Sequence, residues 1–215
     1  MSMQKLEECI TNGDADGLMD LLIADPALAT GTTSHQISPL MLSCYYKMPH
    51  ITDVLLKAID DITLYEAAAS GQFDKVADLV ASQPNKIDDY TTDGFTALGL
   101  ACYFGQYEVA RYLIEKGADI NLPSQNGFNV YPIHSAAAGN YTDILRLLIE
   151  SGAQVNVKQQ AGSTPLHAAA QYGNLDMLII LLEHGADVTV RMEGGKLPAD
   201  IAREKGFSEI SEILA

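Results

Sequence analysis

The chain has 215 residues, 47% of them hydrophobic, which is enough to bury a continuous core. It carries 13 basic and 28 acidic residues, so its formal net charge is −15. Such an acidic surface repels phosphate backbones and anionic lipid headgroups, and we therefore expect no nucleic acid and no membrane as partner. The acidity favours a partner with a basic surface, although charge that only keeps the protein soluble is an equal alternative.

The sequence has no run of 18 apolar residues, so we expect no transmembrane helix. Its start carries Glu7 and Glu8 where a secretion signal needs an apolar stretch, which favours a cytoplasmic location. The three cysteines, Cys9, Cys44 and Cys102, are widely spaced and form no CxxC pair. We therefore expect reduced thiols rather than a disulfide framework or a zinc site.

A pattern of two short helices joined by a turn recurs along the whole chain. Successive turn residues are separated by 34, 24, 34, 35, 33 and 33 positions. Glycine, and to a lesser degree asparagine, tolerates the left-handed backbone that such turns need. The spacing predicts seven helix pairs, with these turn residues: Gly13, Lys47, Gly71, Gly105, Asn140, Gly173 and Gly206.

The pairs differ at the two ends and near the middle. Residues 1–33 carry polar side chains on their outer side and are predicted to form an N-terminal cap repeat. The 24-residue step makes the repeat at 34–60 about ten residues short, so we expect no projecting hairpin at residues 57–62. The inner repeats are predicted at 61–91, 92–124, 125–159 and 160–192, and a C-terminal cap repeat at 193–215.

The 35-residue step contains a surplus that can be located. Gly127 and Pro132 are five positions apart, whereas the equivalent residues of the neighbouring repeats are three apart. Two extra residues therefore lie within residues 128–131. Loop insertions cost little free energy, so this one is either harmless drift or a functional bulge.

The clearest unit begins with the letters TPLH at residues 164–167 and ends with GAD at residues 185–187. Thr164 can cap the first helix, Pro165 suits its first turn, and Gly185 can end the second helix. This unit resembles the ankyrin repeat, and the same frame covers essentially the whole chain. The resemblance implies an all-α fold, in which residues 1–215 form a single ankyrin-repeat solenoid of stacked antiparallel helix pairs with short hairpin loops.

No arrangement of residues predicts catalysis, a metal site or a cofactor. His134 and His167 occupy the fourth place of the TPLH-like motif, where the resemblance implies a structural hydrogen bond within the loop and to the next repeat. The cysteines take positions that alanine holds in the clearest unit, so we expect all three to be small buried residues. The sequence therefore predicts a protein that is not an enzyme.

Aromatic residues are concentrated at the end of the first helix of each pair. The two residues before each turn residue make 14 positions, and five of the 15 Tyr and Phe residues fall there, where chance would place about one. In the ankyrin family this side of the first helices and the hairpin tips form a concave binding face. The alternative is that these rings only cover a narrow helix. The predicted partner-binding residues are Tyr45, Tyr46, Asp93, Phe95, Tyr103, Phe104 and Tyr172.

These features predict a protein–protein interaction module that acts as a scaffold, an adaptor or an inhibitor. We expect a monomer that binds an unidentified protein and needs no cofactor. A second class is a stand-alone regulator that holds a peptide or small molecule in a closed pocket, for which the short connection at residues 57–62 would create a notch. Because the scaffold fixes only the shape, the sequence does not name the partner.

Overall fold

The computed structural model describes residues 2–215, which form fourteen α-helices in seven pairs. The first helices are α1 (Met3–Asn12), α3 (Pro39–Tyr45), α5 (Leu64–Ser70), α7 (Ala97–Tyr103), α9 (Pro132–Ala138), α11 (Pro165–Tyr172) and α13 (Pro198–Glu204). The second helices are α2 (Ala15–Ala24), α4 (Pro49–Ala58), α6 (Phe73–Ser82), α8 (Tyr107–Glu115), α10 (Thr142–Glu150), α12 (Leu175–Glu183) and α14 (Ser208–Ile213). Three short 3-10 helices cover Pro26–Thr30, Pro84–Lys86 and Gln160–Gly162.

The described part of the chain contains no strand and a single isolated bridge, between Tyr90 and Thr96. The predicted all-α fold with seven helix pairs is therefore confirmed. The exact boundaries between repeats stay a prediction.

The turn residue between the two helices is left-handed in all seven pairs. Its φ angle ranges from 54° at Lys47 to 84° at Gly206. Lys47 adopts this conformation without being glycine, at a cost of about 1–2 kcal/mol. Backbone hydrogen bonds fix the turn there, because the N–H groups of Lys47 and Met48 donate to the carbonyls of Cys44 and Ser43, at 2.9 and 3.1 Å.

Polar residues start several of the first helices. The hydroxyls of Ser38 and Thr96 accept hydrogen bonds from backbone N–H groups of the first turn, at 3.2 and 3.1 Å. Each satisfies a donor that the helix itself leaves free. Thr164 lies at the N-cap of α11, as predicted, where its hydroxyl bonds to the Nδ1 atom of His167 at 2.8 Å and its backbone N–H donates to the same nitrogen at 3.2 Å.

Hairpins, which we call fingers, connect consecutive helix pairs. Each finger is closed by a hydrogen bond from the N–H of its first residue to the carbonyl of its last, as between Thr91 and Phe95 at 2.9 Å. No finger lies between α4 and α5, which residues 59–63 join directly, so the predicted absence of a hairpin there is confirmed. The fingers are residues 33–37, 91–95, 124–130, 159–163 and 192–196.

The helix pairs stack in two layers. The first helices contact their neighbours along the whole stack, and buried alanines such as Ala68, Ala101 and Ala136 allow this close approach. In the second layer, α2 packs on α4, and α6, α8, α10 and α12 pack on one another. Helices α4 and α6 do not pack closely on each other. The short connection therefore interrupts the layer of second helices and leaves the layer of first helices continuous.

The hydrophobic core has two blocks that meet at this interruption. The N-terminal block comes from the first two helix pairs, and the C-terminal block extends over residues 67–214. The partly buried Ile62 packs against both blocks. We call the boundary between α4 and α6 the seam. A third, small cluster of buried residues lies in the layer of first helices, on α3, α5 and α7, and consists of Met41, Cys44, Ala69 and Leu100.

Candidate partner-binding site

Four of the predicted site residues form a group, which we call the aromatic cluster: Tyr45, Phe95, Tyr103 and Phe104. The ring centroids of Tyr45 and Phe104 are 5.1 Å apart, those of Tyr103 and Phe104 are also 5.1 Å apart, and both pairs are T-shaped. The rings of Tyr45 and Tyr103 lie 6.1 Å apart and tilted. Phe95 packs against the same small buried cluster of the first helices as Tyr45 and Phe104. Such edge-to-face pairs are favoured by the ring quadrupoles.

The aromatic cluster joins residues from repeats that are not adjacent. Tyr45 belongs to the end of α3, whereas Tyr103 and Phe104 belong to the end of α7, with α5 between them. The corresponding positions of α5 hold Ala69 and Ser70, which are small. We infer that these small residues leave the space in which the rings from both sides meet.

Asp93 lies beside the aromatic cluster at the tip of finger 91–95. The hydroxyl of Tyr45 donates to its Oδ2 atom at 3.4 Å. Burial, and then the charge of Asp93, raise the pKa of Tyr45, so the phenol stays a neutral donor. The structure thus brings five of the seven predicted site residues together.

Tyr46 and Tyr172 are exposed, and within residues 2–215 neither ring stacks on another aromatic ring. The hydroxyl of Tyr172 donates to the Ala138 carbonyl of the preceding repeat at 2.9 Å, which fixes the ring along the ends of the first helices. These two tyrosines therefore present separate contact points.

The structure also shows a notch at the missing finger that the sequence located only approximately. It lies between fingers 33–37 and 91–95, with the start of α5 beneath it, and has a volume of about 420 Å³. The 24-residue step indicated an absent hairpin, but residue spacing alone could not identify the walls. The lining residues include Gln36, Ile37, Met41, Tyr65, Glu66 and Asp93.

The two extra residues lengthen finger 124–130. Phe128 is exposed at its tip. The side chain of Asn126 orders the turn, because its Oδ1 atom accepts from the Ser124 hydroxyl at 2.8 Å and from the Phe128 N–H at 3.2 Å. The lengthened finger is therefore held by its own hydrogen bonds.

The cysteines differ in burial. Cys44 and Cys102 are buried, as predicted, and burial raises the pKa of Cys44 to about 11. The prediction is wrong for Cys9, which is half-buried and lies beside Asp14, with its sulfur 4.0 Å from the carboxylate. Burial and the negative charges of Asp14 and Glu8 raise its pKa, so it too remains a thiol at neutral pH.

The two motif histidines make structural contacts to different extents. The Nδ1 atom of His134 accepts from the N–H of Tyr131 at 3.3 Å, and Nε2 donates to the carbonyls of Val157 and Ser163 at 3.1 and 3.2 Å. Burial lowers the pKa of His134 to about 4, which keeps the ring neutral. His167 bonds through Nδ1 to Thr164, whereas its buried Nε2, on the side of the Val190 and Lys196 carbonyls, makes no hydrogen bond of normal geometry within residues 2–215.

Within residues 2–215, no three His, Cys, Asp or Glu side chains lie close enough together to hold a metal ion. The same residues include no helix that is both long and apolar enough to cross a bilayer.

The structure and its repeated turns define an array of ankyrin-type helix pairs, and comparison with known families agrees. The family model described as ankyrin repeats (3 copies) matches residues 6–124 and 121–192. The chain therefore belongs to the ankyrin-repeat family, and the predicted solenoid is confirmed.

Curated relatives share parts of the array. Ankyrin repeat and SAM domain-containing protein 6 of Rattus norvegicus is 32% identical over 80 residues, 37% of this chain and 9% of that protein. RelA-associated inhibitor of Mus musculus is 35% identical over 88 residues, 39% of this chain and 10% of that protein. Probable 26S proteasome regulatory subunit p28 of Saccharomyces cerevisiae is 28% identical over 152 residues, 64% of this chain and 65% of that protein. The matched part of this chain thus spans about a tenth of the first two proteins.

Proposed function

We propose that the chain is a non-catalytic protein–protein interaction module that binds its partner on the concave face of the array, through the aromatic cluster and Asp93. The observation that carries this proposal is the stacked group of Tyr45, Tyr103 and Phe104 at the ends of the first helices. Preorganised aromatic rings lose little entropy on binding and commonly act as interface anchors. Tyr46 and Tyr172 add outlying contacts on the same side.

The printed names of two relatives support a regulatory role. One is called an inhibitor associated with RelA and the other a regulatory subunit of the proteasome. Both names describe proteins that act on another protein. We accordingly propose that this chain works as an adaptor, scaffold or inhibitor, as a monomer in the cytoplasm.

The proposed partner carries a basic surface. The formal net charge of −15 favours positively charged surfaces over nucleic acid and anionic membranes. Asp93, at the edge of the aromatic cluster, would steer such a surface toward the rings. The non-catalytic assignment is supported by the structural hydrogen bonds of His134 and by the elevated pKa of each cysteine.

The test compares two tyrosines with the same exposure. Tyr103 and Tyr107 are each 37% exposed, but Tyr103 belongs to the aromatic cluster and Tyr107 starts α8. In a pull-down from native lysate, we expect wild type and Tyr107→Ala to recover the same stoichiometric protein. Tyr103→Ala should fail to recover this protein, because truncation of a true anchor weakens binding by at least about 2 kcal/mol.

Melting temperatures separate binding from folding in this test. Both tyrosine variants should melt close to wild type, whereas Leu113→Ala, at a fully buried position, should lose several kcal/mol of stability. Equal recovery by the two tyrosine variants would place the binding site elsewhere, and Phe128 would be the next residue to test.

The second candidate is a stand-alone regulator that binds a peptide or small molecule, which the notch of about 420 Å³ favours. Pockets of this size suit small ligands. The same pull-down discriminates the two, because a stand-alone regulator recovers no stoichiometric protein.

A further inference from the structure

The second residue of each finger directs a backbone N–H group along the stack. In three fingers this group donates to the preceding finger: Gln125 to Gly94 at 2.8 Å, Gln160 to Phe128 at 2.7 Å and Glu193 to Ala161 at 2.7 Å. No finger precedes finger 33–37 within residues 2–215, and the N–H of Ser34 donates to the Glu7 carboxylate at 2.6 Å. Thr92 is the second residue of finger 91–95, which follows the missing finger in the stack. No group in residues 2–215 accepts a hydrogen bond from the Thr92 N–H.

The opposite wall of the notch offers a matching acceptor. Gln36 holds the place in finger 33–37 that Gly94 holds in finger 91–95, since each N–H closes the turn and each φ is positive, 61° and 81°. The Gly94 carbonyl accepts from the next finger, whereas no described group donates to the Gln36 carbonyl. The two walls therefore present one free acceptor and one free donor of the main chain.

The residue types at Gly94 and Gln36 agree with an occupied carbonyl at the first and a free carbonyl at the second. A Cβ atom at Gly94 would lie 2.8 Å from the backbone nitrogen of Asn126, so the neighbouring finger leaves no room for a side chain. Gln36 has the same backbone conformation and an exposed side chain. The space beside it is therefore open.

The charge of the notch selects its occupant. Glu66 and Asp93 line it, and no Lys or Arg among residues 2–215 does. Acidic walls repel phosphorylated or acidic ligands and attract basic side chains. Ile37, Met41 and Tyr65 add apolar surface for a side-chain stem.

We infer that the notch binds an extended loop of a protein partner, which carries Lys or Arg and takes the place of the missing finger. Its main chain donates to the Gln36 carbonyl and accepts from the Thr92 N–H, as a strand does when it adds to a sheet edge. Its basic side chain faces Glu66 and Asp93. This inference deepens the proposed function, because it gives the partner a second point of attachment outside the aromatic cluster.

The test removes one backbone donor without removing the turn. Thr92 is the second residue of a four-residue turn, where proline is favoured, so Thr92→Pro deletes the N–H and keeps the finger. Thr92→Ala is the matched control, because it removes the side chain and keeps the N–H. Circular dichroism and melting curves should show both variants folded.

The probe is a phage-displayed library of random seven-residue peptides, selected on the wild-type chain. We expect the selected peptides to be enriched in Lys or Arg and to shift the amide resonance of Thr92 in a titration followed by NMR. They should bind Thr92→Ala and Tyr103→Ala as they bind wild type. Binding to Thr92→Pro should be about tenfold weaker, as expected for the loss of one hydrogen bond.

Three results would overturn the inference. They are an unproductive selection, peptides that bind Thr92→Pro as tightly as wild type, and peptides that depend on Tyr103 instead. The last result places the peptides on the aromatic cluster, so the proposed function stands while the notch assignment fails. Conversely, if Tyr103→Ala and Tyr107→Ala both lose the partner, the proposed role of the aromatic cluster fails. That outcome does not affect the peptide result at Thr92.

Discussion

His134 and His167 occupy the same place in successive repeats, yet only His134 forms hydrogen bonds through both ring nitrogens, with Nδ1 bonded to Tyr131 in its own repeat and Nε2 to the following finger. We therefore predict that His134→Ala lowers the free energy of unfolding by about 2–3 kcal/mol and His167→Ala by about 1–2 kcal/mol. Urea unfolding of the two variants measures the difference. An equal or larger loss for His167→Ala would contradict the hydrogen-bond assignment.

The pH dependence of stability gives a second test of the structural role of His134. The folded-state pKa of His134 is about 4, below the ordinary value of 6.5, so the unfolded chain binds a proton first as pH falls. Stability should therefore decrease between pH 6.5 and pH 4. In His134→Ala this decrease should be smaller than in wild type.

Residue identities predicted burial well where a repeat lies on both sides. Cys44 and Cys102 are buried as the alanine positions indicate, because neighbouring first helices cover them. Cys9 takes the same position in the first pair, where no described helix pair precedes it, and it is half-buried. The sequence pattern gives the position of a residue within its repeat, but it does not show whether a neighbouring repeat covers that position.

The fingers show how one element limits the residues of its neighbour. Gly94 and Gly194 have similar φ angles, 81° and 84°, but a Cβ atom would meet finger 124–130 at Gly94, whereas at Gly194 it would have no atom of residues 2–215 within 4 Å. We predict that Gly194→Ala costs about 1–2 kcal/mol for the left-handed backbone alone. Gly94→Ala should cost clearly more, because the steric clash adds to the backbone cost.

Thermal or urea unfolding of these two glycine variants makes the comparison. Similar losses would show that finger 124–130 moves aside at little cost, and that the fingers are not closely joined.

The sequence predicted the missing finger but only part of the site geometry. Residue spacing fixes how much chain joins two helices, so ten absent residues imply an absent hairpin. The meeting of Tyr45 with Tyr103 depends on the size of Ala69 and Ser70 in the intervening helix, and on side-chain orientation. Neither is encoded in the period, which is why the sequence groups Tyr46 and Tyr172 with rings on which they do not stack.

Over the whole molecule, the seam divides the core into two blocks. Stability of a repeat array is close to a sum of repeat and interface contributions, so a weakly packed interface separates cooperative units. We predict that α1–α4 and the region from α5 onward exchange their amide hydrogens with different free energies of opening.

Substitution of one buried leucine on each side of the seam tests whether the two units open separately. Leu55→Ala should lower the protection of α1–α4, and Leu148→Ala that of the helices around α10, each by about 2–5 kcal/mol. Hydrogen exchange followed by mass spectrometry measures both. If either variant lowers protection equally in all helices, the array unfolds as one unit and the seam has no energetic effect.

Gln36 shows what the missing finger means for engineering this array. Its side chain is tolerated because the space beside its turn is open, whereas Gly94 is confined by the next finger. A designer who regularises the array by grafting ten residues between α4 and α5 would place a new finger against Gln36. The graft would then need Gln36→Gly as a companion change, while Thr92 would gain a partner within its own chain.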